Sequence, residues 1–196
     1  MLDYIKGEIA ELTPASVVIE VGGLGYIAHI SLNTYSSLNG MREAKLFVYE
    51  AIREDAHQLF GFLSKRERDL FLLLISVSGV GANTARMVLS SLTVPELEMI
   101  IASGNASALK TVKGIGSKTA ERIIIDLKDK VRIMEGDSTP GQLISTPVPE
   151  ANREAVSALT MLGFSQPASQ KVVNKIAKEN PSLTVEQIIK QALKML

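Results

Sequence analysis

The sequence has 196 residues, 46% of them hydrophobic, and its longest apolar stretch, Leu70 to Ile75 with Val77, is far short of the roughly 20 residues a bilayer span needs. With no cysteine and only two histidines, disulfides, thiolate metal sites and cysteine nucleophiles are excluded, and neither a metal nor another cofactor is expected. Charge is balanced at 21 basic and 21 acidic side chains, and the start, with Asp3, Lys6 and Glu8, lacks a signal-peptide pattern, so a soluble cytoplasmic protein is expected.

Residues 1–64 carry four basic and eight acidic groups, net −4. Their apolar residues fall in short runs, LDYIKGEIA, SVVIEV, GYIAHISL, LFVYEAIR and HQLFGF, separated by Pro14, the Gly22-Gly23-Leu24-Gly25 turn and Asn39-Gly40. Five strands in about 60 residues suit a small barrel of the OB type. No helix follows Gly25, so the glycine turn reads as a hairpin and not as a phosphate loop. At Ser64 the period changes to helical, with Ser64 and Glu67 as a capping box, and the helix runs into Gly79. Thr93 with Glu96 makes a second box, and Asn105 can cap the short stretch before Lys110.

Residues 65–135 hold eleven basic and eight acidic groups, net +3, so a polyanion would be met by this segment unless the imbalance is only a solvated surface. Residues 136–150, with three prolines, two glycines and four Ser/Thr, read as a mobile linker. Residues 151–196 pattern as three helices. The first ends at Gly163, the second starts near Pro167 with Ser165 as cap, and the third is boxed by Thr184 and Gln187. The expected fold class is α+β and multidomain: barrel at 1–64, helical domain at 65–135, linker at 136–150, three-helix bundle at 151–196.

Shifting the chain by 35 residues aligns ISVSGVGANTARMVLSSL (75–92) with KTVKGIGSKTAERIIIDL (110–127). Val77/Val112, Gly79/Gly114, Gly81/Gly116, Thr84/Thr119, Ala85/Ala120 and Leu92/Leu127 are identical. Each copy reads helix, Gly-apolar-Gly, helix. The glycines permit positive φ and close backbone approach at a helix start, where amides without internal partners and the helix dipole form an anion site. Such a site reads phosphate and carries no base information. Val80 and Ile115, between the glycines, should point inward and lock the helices together. A single copy could equally be a plain αα-hairpin; two copies in one register resemble the helix-hairpin-helix motif of DNA-binding proteins.

Barrel, tandem hairpins, Pro/Ser segment and three-helix bundle follow the order of the RuvA family, which the whole chain resembles. VGGLGY (21–26), IREDA (52–56), LFGF (59–62) and KGIGSKTAERII (113–124) carry the likeness. The resemblance implies a non-catalytic scaffold that binds four-way (Holliday) junctions in recombination and repair, as a fourfold tetramer sometimes doubled to an octamer. It implies RuvB, an ATP-driven ring motor, as partner, and leaves room for the RuvC resolvase. Gly79, Gly81, Gly114, Gly116 and Lys118 fall on its phosphate-binding positions, and Val80, Asn83, Arg86, Ile115 and Ser117 complete the expected DNA contact. Ala82, Asn83 and Ser117 stand where the family often has basic residues or a second lysine, so the first hairpin would rely on amides and Arg86.

Arg53-Glu54-Asp55, at a turn between two strands, resembles the family's acidic pin, with Glu54 and Asp55 facing the junction centre; without the resemblance it would read as a solvated turn. The Leu162-Gly163-Phe164 turn resembles ubiquitin-associated-type bundles. Leu159 and Leu162 share a helix face, with Ala155 and Ala158 beside them, and are either core or a docking surface for RuvB. The main enzyme alternative is a base-excision glycosylase/lyase with Lys118 as Schiff-base nucleophile and Asp126, Asp129 or Asp137 as partner. A protein-interaction module without DNA affinity is the other. His29 and His57 have no carboxylate or serine at catalytic spacing.

Overall fold

The computed structural model describes residues 1–135, 150–180 and 183–195; the proposed linker at 136–150 lies outside them except for residue 150. The chain separates into two compact units, Met1–Thr139 and Pro140–Leu196.

In the first unit, alternating apolar residues form β1 (Tyr4–Leu12), β2 (Ser16–Val21), β3 (Leu24–His29), β4 (Glu43–Ile52) and β5 (His57–Phe62), closed as a barrel in the order β1-β2-β3-β5-β4. Gly22 and Gly23, at φ 58° and 82°, make the two-residue hairpin that pairs Val21 with Leu24. Ile5, Val17, Ile19, Ala28, Ile30, Leu38, Leu46 and Val48 fill the interior. A seven-residue helix, α1 (Leu32–Leu38), stands between β3 and β4, capped by Ser31, which accepts from the Thr34 amide. The sequence reading did not anticipate it.

Then come α2 (Lys65–Ser76), α3 (Ala82–Ser91), α4 (Val94–Ser103), α5 (Ala106–Leu109) and α6 (Ser117–Glu135). Phe71 of α2 joins this layer to the barrel, its ring centroid 5.6, 5.4 and 4.8 Å from those of Tyr49, Phe60 and Phe62. Helical core and barrel wall are therefore continuous through β5. The Thr93–Glu96 box forms as expected, and Asn105 caps α5 by accepting from the Ala108 amide. The Ser64–Glu67 box forms only by half. Ser64 accepts from the Glu67 amide, but the Glu67 carboxylate reaches the Leu63 amide at 3.1 Å and the Ser31 and Thr34 hydroxyls at 3.2 and 3.0 Å. Burial pushes its carboxyl pKa up, against the pull of those three donors.

Glu98 of α4, also buried, meets Arg66 of α2 in a two-point pair, Nε to Oε1 at 2.7 Å and Nη2 to Oε2 at 2.8 Å. Arg66→Ala strands a buried carboxylate, and urea unfolding should show a loss of about 3 kcal/mol. Replacing both by apolar residues of similar volume should recover most of it, because the desolvation penalty leaves with the charges.

The second unit holds α7 (Glu150–Met161), α8 (Gln166–Glu179) and α9 (Val185–Ala192) around Ala155, Val156, Leu159, Val173, Ile176, Ile188 and Ala192. Helix α7 ends in a Schellman turn: Gly163, at φ 98°, donates to Thr160, and Phe164 donates to Leu159 and packs on the core. Thr184 and Gln187 form their box, whereas Ser165 precedes α8 without a side-chain cap bond.

Candidate nucleic-acid interface

The two Gly-apolar-Gly turns are near copies in space as well as in sequence. Gly79 and Gly114 both sit at φ 91°, which a residue with a Cβ resists. The next amides turn inward, Val80 N–H donating to Val77 at 3.0 Å and Ile115 N–H to Val112 at 3.1 Å, and both side chains are buried. The hairpins are thus locked as expected, but the Val80 and Ile115 amides are already used and cannot serve a phosphate. The helices then begin identically, with Ala85 N–H to Gly81 and Ala120 N–H to Gly116, each at 2.9 Å.

The second glycine of each pair has a different role from the first. Gly81 is extended (φ −88°, ψ 170°), so only Gly79 and Gly114 need the left-handed region. A Cβ at Gly81 or at Gly116 would meet nothing within 4 Å. Among the described residues, neither backbone strain nor packing calls for glycine there. What glycine leaves is an uncovered helix start, since it has no side chain to cap the first-turn amides. These are the amides of residues 82–84 in α3 and 117–119 in α6, with no acidic residue in either first turn to oppose an anion.

Asn83, Ser117 and Lys118 are exposed at these starts, and Lys113 is exposed directly before Gly114. Arg86 departs from the expectation. Its Nη1 donates to the Ala15 carbonyl at 3.0 Å, so the guanidinium ties α3 to the β1–β2 turn of the barrel instead of standing free beside the first hairpin. Sequence reading missed Arg122, whose Nη1 donates to the Ser78 carbonyl at 3.0 Å and so joins α6 of the second motif to the turn of the first. Its counterpart under the 35-residue shift is Met87, so the repeat itself gave no signal for it.

Arg53, Glu54 and Asp55 form the exposed tip of the β4–β5 hairpin, closed by Arg53 N–H to Ala56 at 2.8 Å. In the second unit the two leucines divide. Leu159 is fully buried in the bundle core, which corrects its expected role at a docking surface, and Ala155 is buried with it. Leu162 is 60% exposed and its neighbour Met161 86%.

Comparison with known proteins agrees with this arrangement. Residues 1–61 match the RuvA N terminal domain, 71–129 the SAM-like helix-hairpin-helix tandem, and 150–196 the RuvA C-terminal domain. The Holliday junction branch migration complex subunit RuvA of Azobacteroides pseudotrichonymphae is 62% identical over the full length of both chains. The chain belongs to the RuvA family. RuvA proteins of Bacteroides thetaiotaomicron and Christiangramia forsetii, at 56% and 46% identity, also align over the whole of both chains. Tandem helix-hairpin-helix motifs mark it as a DNA-binding chain, consistent with two glycine-capped helix starts in one helical layer. Among the described residues no helix is long and apolar enough to cross a membrane.

Proposed function

We propose that this chain is the junction-binding scaffold of a branch migration complex, a non-catalytic, cytoplasmic homotetramer that can double to an octamer. It holds four-way DNA through phosphates and recruits a RuvB-type ATPase ring, with a RuvC-type resolvase as a further partner. The observation that carries this reading is the pair of equivalent, uncapped helix starts at Gly81 and Gly116. Each supplies amides and dipole to a phosphate, Lys118 and Asn83 stand beside them, and Glu54 and Asp55 form an acidic pin. The four sequence segments serve as barrel, DNA-binding layer, connection and motor-docking bundle.

A gel-shift series with a four-way junction and a linear duplex of equal length, repeated across salt, tests it. Junction affinity should exceed duplex affinity at moderate salt and fall steeply as salt rises, because counterions are released. Equal affinities would defeat the proposal. A carboxylate about 7 Å from a phosphate in water costs about 0.6 kcal/mol. Glu54→Gln with Asp55→Asn should therefore raise duplex affinity about threefold per relieved pair and narrow the preference for junctions. The lyase reading is poorly supported: Lys118 is exposed, Asp126 and Asp129 are exposed on the same helix, Asp137 lies outside the described residues, and nothing among the described residues desolvates the amine. Borohydride trapping on abasic DNA should yield no adduct.

A further inference from the structure

The first hairpin's phosphate site lies at the N-terminal end of α3; Arg86 ties the middle of that helix to the β1–β2 turn, and its C-terminal end is held from the α1 side. Asn33, in the first turn of α1, donates from Nδ2 to the Leu89 carbonyl at 2.7 Å and to the Leu92 carbonyl at 3.2 Å. Carbonyls in the last turn of a helix have no partner within it, so this carboxamide caps α3 from the barrel side. The neighbouring Leu32 amide, itself without an intrahelical partner, donates to Ser90 Oγ at 3.0 Å. Apolar packing does not fill this seam. A cavity of about 140 Å³ opens there, with Asn33, Thr34, Leu63, Glu67, Leu89 and Leu92 among its lining residues. Val88 and Leu89 pack in the shared core, and along the unfilled seam directional bonds fix the remaining freedom in the angle of α3.

We propose that Asn33 is a positioning residue for junction selectivity: by fixing the C-terminal end of α3 to the barrel, it sets where the Gly81 site stands relative to the Glu54–Asp55 tip. A ten-residue helix is about 15 Å long, so a tilt of about 5° at the Asn33 end displaces the far end by about 1.3 Å. That displacement leaves the local anion site intact. It spoils the registration of phosphate sites against pin, which a junction requires and a plain duplex does not.

The inference rests on the reading of hairpins and pin given under Proposed function, and the test separates the two. Full-length wild type, Asn33→Ala, Asn33→Asp and the barrel-core variant Ile19→Val are each measured for four-way junction and duplex affinity at one salt concentration and for melting temperature. Asn33→Ala should shrink the junction-to-duplex affinity ratio about tenfold while duplex affinity stays within about twofold. Asn33→Asp should shrink it further, since a carboxylate cannot donate and meets the negative end of α3. Ile19→Val should lower the melting temperature and leave the ratio unchanged. If wild type has no junction preference, both the functional reading and this inference fall. If wild type prefers junctions and both Asn33 variants keep the ratio, only this inference falls. An equal loss of ratio in Ile19→Val at matched melting temperature would assign the effect to general destabilisation and overturn the positioning role.

Discussion

Replacing Gly116 by aspartate is expected to leave the protein as stable as wild type, or more so, while reducing DNA affinity by about a hundredfold or more. The two directions have one cause. Gly116 begins α6 without a side chain, in a backbone conformation outside the left-handed region, and a Cβ there points into open space. Aspartate is a preferred N-cap, its carboxylate accepts from first-turn amides, and its charge suits the positive end of the helix, together worth about 0.5–1 kcal/mol of stability. The amides it satisfies are those proposed to hold phosphate, and its charge repels the phosphate as well. Hydrogen bonds to charged groups are worth about 1.5–3 kcal/mol each, so losing one or two accounts for the drop.

Three companions refine this expectation. Gly116→Val, which obstructs approach without capping, should cost more affinity than Lys118→Ala, which removes one exposed point charge. Gly114→Val should lose both affinity and stability, because its φ of 91° disfavours a β-branched residue. Thermal melts and junction gel-shifts on the four variants check the set. If Lys118→Ala abolished binding while Gly116→Val bound normally, the amide account would be wrong.

Much of this was legible in the sequence, for identifiable reasons. The barrel could be read because glycines and prolines separate its apolar runs, and the paired hairpins because a 35-residue repeat preserves both glycines. Where reading fell short, the deciding partner lay far along the chain. Helix α1 escaped notice because its seven residues bury only Thr34 and Leu38, too few for a helical period to stand out. Arg86 looked like a phosphate ligand from its place in the first motif, and only the fold brings the Ala15 carbonyl to it. Val80 and Ile115 stood among the expected DNA contacts because the turn bond each amide makes to the residue three back leaves no mark in composition. Leu159 and Leu162, three apart, should lie about 60° from one another on a helix. Helix α7 ends at Met161, however, and the left-handed Gly163 turns the chain away, so Leu162 is left on the surface while Leu159 stays in the core.

That division leads to the other large effect. Leu162→Asp in the full-length protein should leave junction affinity within about twofold of wild type and abolish motor-driven branch migration. The bundle has its own core, and that core does not need Leu162. A bundle this small has few apolar residues to spare, yet Met161 and Leu162 stand side by side in solvent at a tight, well-bonded turn. Leu159→Ala is the contrasting variant. It removes a fully buried side chain, so it should destabilise the bundle by about 3 kcal/mol and impair migration through unfolding. Thermal denaturation distinguishes the two, since Leu162→Asp should melt like wild type. Truncation after Gln142 gives the limiting case, in which junction binding should persist and migration be lost, because both proposed anion sites and the acidic tip lie in the first unit. If Leu162→Asp migrated junctions at the wild-type rate while the truncation did not, docking would lie elsewhere on the bundle. Wild-type migration by the truncated chain would mean that the bundle is not the coupling element.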